Sequence, residues 1–158
     1  MSTPEDKTRP DIYPEEKRLS QRFVIPGATV SYRKERWLGQ KKDFDEEFCP
    51  LQNISRGGLS FLCRQNLRPG TELSLQLSIP GERAPLNQLG QVRWSTAAEN
   101  KNFPYRVGVQ FNAYGNKKGQ NYPGNLVKII SLEHKFAEQK QAEKLEDTEG
   151  DEYKVESS

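Results

Sequence analysis

The chain has 158 residues, 24 Lys and Arg against 22 Asp and Glu, one histidine and two cysteines. It contains no run of 18 apolar residues, and it opens on the acidic, Pro-bearing stretch Met1-Ser2-Thr3-Pro4-Glu5-Asp6-Lys7, so neither a transmembrane helix nor a secretory signal peptide is expected. One histidine, His134, and two cysteines without metal-binding spacing leave too few ligands for a zinc site and weaken Ser-His and Cys-His nucleophile schemes.

Charge divides the chain into three parts. Residues 23–130 carry 15 Lys and Arg against 8 Asp and Glu, net +7; residues 131–158 carry 4 against 9, net −5; residues 1–22 carry 5 against 5. A basic body with an acidic tail is the footprint of a protein with an anionic partner. The apolar residues also concentrate in the middle, so one globular domain is expected there. The expected organisation is a flexible N-terminal arm over 1–16, a domain over 17–136, and an acidic helical extension with a disordered tail over 137–158. Two free thiols, Cys49 and Cys63, suit a reducing, cytoplasmic setting, although their sequence separation also allows a bridge.

Past the arm, which holds Pro4, Pro10 and Pro14, Phe23-Val24-Ile25 and Ala28 to Tyr32 read as strand, with Pro26-Gly27 as a bend between them. Residues 39–47 are a polar loop. Asn53-Ile54-Ser55-Arg56-Gly57-Gly58 reads as a turn, in which the glycine pair permits positive φ. Gly58 to Cys63 is a strand. Leu73 to Ile79 alternates with apolar odd positions, the clearest half-buried strand in the chain. Leu89 to Trp94 and Tyr105 to Phe111 follow, with a hairpin loop over Ser95 to Asn102. Leu126, Ile129, Ile130 and Phe136 approximate one helical face, so a C-terminal helix is expected to start after Asn125 and pack on the strands. Short strands separated by turn signals favour an all-β antiparallel barrel or sandwich. The acidic run Asp43, Asp45, Glu46 and Glu47 reads as a solvated charge run rather than a cation site.

Two pieces carry chemistry. Lys17-Arg18-Leu19-Ser20-Gln21-Arg22 places two arginines four residues apart where the arm meets the first strand. A guanidinium offers a planar fork that matches phosphate oxygens or the O6/N7 edge of guanine, and its face stacks on a base. Asn53 to Gly58 supplies short donors and acceptors beside glycines that let a ligand approach the backbone.

Arg18-x-x-x-Arg22 followed by Asn53-x-Ser55-x-x-Gly58 resembles the signature of PilZ domains. Gly90 to Trp94, and Tyr105 to Phe111 before a terminal helix, resemble the same family over roughly residues 17–136. The resemblance implies a six-stranded antiparallel β-barrel with a C-terminal α-helix, no enzymatic activity, no cofactor, and cyclic di-GMP as ligand. It implies that Arg18 and Arg22, with Lys17 beside them, meet phosphate and the Hoogsteen edge of guanine. Asn53 would meet a guanine edge, in place of the family's commoner Asp. Ser55 would bond phosphate or guanine, Gly58 would keep the turn open, and Trp94 would line the ligand face. A receptor of this kind changes its surface on binding and acts on a downstream protein, in motility or biofilm regulation among other outputs. Two other readings compete: a PilZ-like interaction module that binds no nucleotide, and a small basic barrel that binds single-stranded nucleic acid.

Overall fold

The computed structural model describes residues 21–35 and 43–137. Six strands run in chain order: β1 (Thr29–Lys34), β2 (Glu46–Ser55), β3 (Gly58–Cys63), β4 (Glu72–Ser78), β5 (Leu86–Ala97) and β6 (Tyr105–Phe111). They close into a barrel in the order β1-β2-β3-β6-β5-β4, and every pairing is antiparallel. Closure removes the exposed edges that an open sheet of this size would leave. The expected all-β, six-stranded barrel with a C-terminal helix is what the chain forms. The expected arm over 1–16, together with Lys17 and Arg18, and the expected extension beyond residue 137 lie outside the described residues.

Alternation fills the barrel. Val30 and Tyr32 of β1, Leu59, Phe61 and Cys63 of β3, Leu73, Leu75 and Leu77 of β4, Val92 of β5, and Val107 and Val109 of β6 all point inward. Helix α1, described over 123–137, sends Ile129 and Leu132 into the same core, with Phe136 packed partly against it. The buried stripe is therefore narrower than expected, since Leu126 and Ile130 are only half-buried and Val127 is exposed. The helix also starts at Pro123, whose fixed φ suits a first helical position and whose missing N–H costs nothing there. Asn125 is then free to fasten the helix to the barrel, its Nδ2 donating to the Asn87 carbonyl (2.7 Å) and to Gln88 Oε1 (2.8 Å).

Three expectations about strands need correction. Asn53 to Gly58 is not a turn throughout: Asn53 and Ser55 are the end of β2, Gly58 begins β3, and only Arg56 and Gly57 make the turn. Phe23 to Ile25 forms no full strand but a single bridge, Phe23 to Ile54. Glu46 and Glu47 belong to β2 rather than to a loop. Glu46 is buried because its carboxylate is fully engaged. It accepts from the Tyr32 hydroxyl, from Arg64 N (2.8 Å) and Gln65 N (3.1 Å), and from the Cys49 thiol (3.9 Å). A buried carboxylate is tolerable only with such partners. Cys49 and Cys63 beside it are free thiols with no exposed surface. Among the described residues, no group of three or more His, Cys, Asp or Glu could hold a metal ion, and no helix is long and apolar enough to cross a membrane.

Candidate functional site

The outward-facing residues of β2, β3, β6 and β5 make one surface, and their register is what places the site. Asn53 pairs with Ser60, Ser60 with Gly108, and Gly108 with Trp94. Directly paired residues point to the same face of a sheet. These four therefore form a row across four strands. The neighbouring row is Ser55, Gly58, Gln110 and Gln91.

The leader joins this surface at one end. Phe23 and Ile54 exchange two backbone hydrogen bonds, each 2.9 Å. Both side chains are buried, so their neighbours Arg22, Asn53 and Ser55 alternate to the outside. Arg22 Nη1 donates to Asn53 Oδ1 at 2.6 Å, across 31 positions of sequence. Ser60 Oγ donates to the same oxygen at 3.0 Å. A guanidinium has no acceptor, so the Asn53 amide must present Oδ1 to Arg22. Its Nδ2 faces away as a donor. The two sequence pieces thus meet through Arg22 and Asn53, while Arg18 and Lys17 lie outside the described residues.

Ser55 and Gly58 shape the turn and the approach of the strands. Ser55 is buried, and its hydroxyl accepts from Gly57 N (3.3 Å) and donates to the Gly58 carbonyl (3.4 Å), holding the tight turn in shape. Neither Gly57 nor Gly58 has positive φ. Gly58 is required for another reason: a Cβ there would stand 2.2 Å from the Val109 carbonyl oxygen, so its hydrogen lets β3 lie close against β6. The turn is braced from behind. The Tyr114 hydroxyl donates to the Arg56 carbonyl (3.1 Å), and Arg56 Nε pairs with Glu133 of α1 (3.0 Å).

At the far end Trp94 is half-buried on the outer surface. Its indole lies against the β6 backbone, since a Cβ on Gly108 would stand 2.1 Å from the ring. Two contributors escaped the sequence reading. Gly108 makes room for the indole, and the Val107-Gly108-Val109 interruption of an apolar alternation is the signal that could have shown it. Arg106 sits with its guanidinium carbon 5.7 Å from the Trp94 ring centroid.

The PilZ domain family profile matches residues 16–121, more than half of the chain. This chain belongs to the PilZ family. PilZ domains are the cyclic di-GMP receptor family, and they serve as receptor and adaptor modules rather than enzymes. Among solved structures, the chain is similar to the Bacillus subtilis inhibitor of motility MotI/DgrA, with a TM-score of 0.52 and 15% identity. The match covers 77% of this chain and 51% of that one, so this PilZ chain spans about half the length of that relative. At that identity the likeness speaks for the fold. Comparison with curated proteins returns no match.

Proposed function

We propose that this PilZ domain binds cyclic di-GMP on the outer face of β2, β3, β6 and β5, and that binding orders the leader over that face to present an altered surface to a partner protein. The observation that carries this reading is the Arg22–Asn53 hydrogen bond, which unites the two halves of the motif on one surface.

Each residue then has a physical task. Arg22 donates its fork to the O6/N7 edge of a guanine or to a phosphate, and Arg18, four residues earlier, supplies a second fork. Asn53 offers Nδ2 to a guanine acceptor, because its Oδ1 is already held by Arg22 and Ser60. Ser55 and Gly58 fix the shape of the turn and the closeness of β3 to β6. The net +7 of residues 23–130 favours arrival of a doubly anionic ligand. The surface change follows from charge: a doubly anionic ligand seated beside Arg22 and Asn53 alters what a partner protein meets on this face. Motility is one output that fits, since the similar Bacillus protein is an inhibitor of motility.

Calorimetric titration with cyclic di-GMP tests the reading. Saturable binding in the micromolar range or tighter is expected. Arg22→Ala should weaken it about tenfold to a hundredfold, since a bidentate arginine–base pair discriminates by about 1–3 kcal/mol and each 1.4 kcal/mol is tenfold. A flat titration with the intact chain would overturn it.

A further inference from the structure

Phe48 combines strain with exposure. Val30 pairs with Cys49 and Tyr32 with Glu46, so Glu47 and Phe48 of β2 stand opposite Ser31 alone. In this bulge Phe48 holds φ 56°, a left-handed position that one common bulge type fills with glycine. Among the described residues it is the one non-glycine residue with positive φ. A bulky side chain is disfavoured there. Its amide is nevertheless tied down, donating to Oγ of the buried Ser31 (3.0 Å), and the residue stays 63% exposed. Bulges re-aim side chains, and strained residues cluster at ligand clamps.

Phe48 lines a cavity of about 330 Å³ over the start of β1 and the end of β4, strands outside the ligand face. Ile79, Pro80 and Pro85 give it apolar walls, and the exposed Arg83 lines it as well. Glu82 beside them is engaged: its carboxyl is held below its ordinary value first by the bond from Lys128 of α1, and also by the Lys135 charge. Arg83 makes no ion pair among the described residues. The cavity thus joins an apolar hollow to one uncompensated cation. Its volume lies at the low end of small-ligand pockets, about 300–1,000 Å³, with room for a side chain or two. A closed barrel offers no strand edge to an extended partner, so recognition here goes through an inserted side chain with a carboxylate beside it.

Residues 146–158 have that chemistry. They hold six Asp and Glu against one Lys, and Tyr153, their one aromatic, follows Asp151 and Glu152 directly. They lie outside the described residues. We infer that this acidic segment docks in the groove of its own chain, with Tyr153 seated against Phe48 and a neighbouring carboxylate on Arg83. Helix α1 leads toward the groove, since Lys128 and Lys135 both act on Glu82. Tyr153 follows Ala137 by sixteen residues, a length that reaches up to about 50 Å when extended, well beyond the radius of a domain this size. A ring contact and an exposed ion pair are each weak. The tether offsets this with an effective concentration on the order of millimolar. A protein partner that uses the same groove has to displace the segment.

The test reads amide chemical shifts of the isotope-labelled full chain. Tyr153→Ala should move the amides of Gly27, Thr29 and Glu82, and Phe48→Gly should move those of residues 151–156. Glycine suits the backbone conformation at 48, so Phe48→Gly should unfold at a urea concentration no lower than the parent. Docking lost with stability kept is a result that a merely structural Phe48 does not give. A peptide of residues 146–158 should return the Tyr153→Ala amides to parent positions. It should bind that variant about tenfold tighter than the parent, whose own segment competes. Adding Arg83→Glu to Tyr153→Ala should weaken the peptide by up to about tenfold. Groove amides that stay at parent positions in Tyr153→Ala, with no response to the peptide, would overturn the inference. Parent groove shifts that fade on about tenfold dilution would overturn it too, because the segment then comes from a second copy. Neither result touches the cyclic di-GMP reading, whose test is the Arg22→Ala titration.

Discussion

Adjacent glycines at 57 and 58 should respond oppositely to the same change. A Cβ added at Gly58 would stand 2.2 Å from the Val109 carbonyl oxygen, 3.2 Å from the Val109 carbonyl carbon and 3.3 Å from Gln110 Cα. All three obstacles are backbone of the neighbouring strand, so no side chain can swing aside. Relief requires β3 to move about 1 Å from β6, and the first pairs affected are Gly58–Gln110 and Leu59–Val109. Stretching one or two ladder hydrogen bonds at about 1 kcal/mol each, on top of overpacking strain of about 1–3 kcal/mol, gives a loss of about 2–4 kcal/mol for Gly58→Ala. Gly57 has nothing within 4 Å of its missing Cβ and no positive φ. Gly57→Ala should therefore fall within about 0.5 kcal/mol of the parent, or stabilise slightly by restricting the unfolded chain. Urea unfolding followed by circular dichroism at 25 °C measures both. Equal losses for the two variants, or a Gly58→Ala protein as stable as the parent, would refute the claim that close approach of strands, rather than turn conformation, demands glycine here.

Other consequences are equally direct. Burial, and then the Glu46 carboxylate, push the Cys63 thiol from its ordinary 9.0 up to about 12, and the Cys49 thiol and Tyr32 hydroxyl upward for the same first cause. Groups whose folded pKa is raised hold their protons longer when folded, so the stability they contribute is complete below about pH 9 for the thiols and below about pH 10 for Tyr32, and is lost as pH climbs toward 12. The unfolding free energy from urea titration should fall across that window by about 1.4 kcal/mol per pH unit for each group past its ordinary value; a flat profile from pH 8 to 11 would contradict this, and Cys63→Ala should make the slope shallower. Tyr32→Phe removes the hydroxyl that donates to Glu46 inside the barrel, and should cost about 1–3 kcal/mol in the same denaturation assay. Asn53→Ala strips the common acceptor of Arg22 and of the buried Ser60 hydroxyl, so it should lower stability by about 1 kcal/mol while weakening cyclic di-GMP binding by calorimetry; a change in one without the other would separate the two roles. Arg56→Ala breaks a partly exposed ion pair to α1 and should cost no more than about 1 kcal/mol, yet quicken amide hydrogen exchange around Glu133.

How legible the fold was depended on what each strand carries inward. β3 and β6 were readable to the residue, because Leu59, Phe61, Val107 and Val109 alternate with small or polar outward positions. β5 ran longer than its apolar pattern because Gln88 faces the interior, 2% exposed, bonded to Tyr114 and Asn125. A polar residue satisfied in this way looks like loop when only apolarity is counted. The start of β2 was hidden for the same reason: Glu46 and Glu47 read as loop until four donors are seen to converge on the Glu46 carboxylate. The motif itself was visible as residue types and order. The roles within it were not, because nothing local distinguishes a glycine needed for φ from one needed for a neighbouring strand, and register across four strands is a long-range property. Trp94 was noticed on the surface, but Gly108 beneath it and Arg106 beside it belong to a strand whose pairing the sequence does not state.

The division between inside and outside explains why a binding face can sit on this barrel without weakening it. The large side chains that hold β3 and β6 together all point in. Three of their outward positions are Gly58, Ser60 and Gly108, residues that contribute almost no packing of their own. Folding free energy from apolar burial therefore comes from the inner set, at roughly 1.5–3 kcal/mol for each fully buried Leu, Val or Phe. The outer set is constrained by approach: Gly58 by the β6 carbonyl, Gly108 by the Trp94 indole, Ser60 by its bond to Asn53. Two of these three constraints, those at Gly108 and Ser60, act on the outer surface alone. Since the side chains of one strand alternate strictly between the two surfaces, a change at Gly108 or Ser60 leaves the inward neighbours Val107, Val109, Leu59 and Phe61 in register. The outer face can thus change at these positions while the core that supports them stays the same.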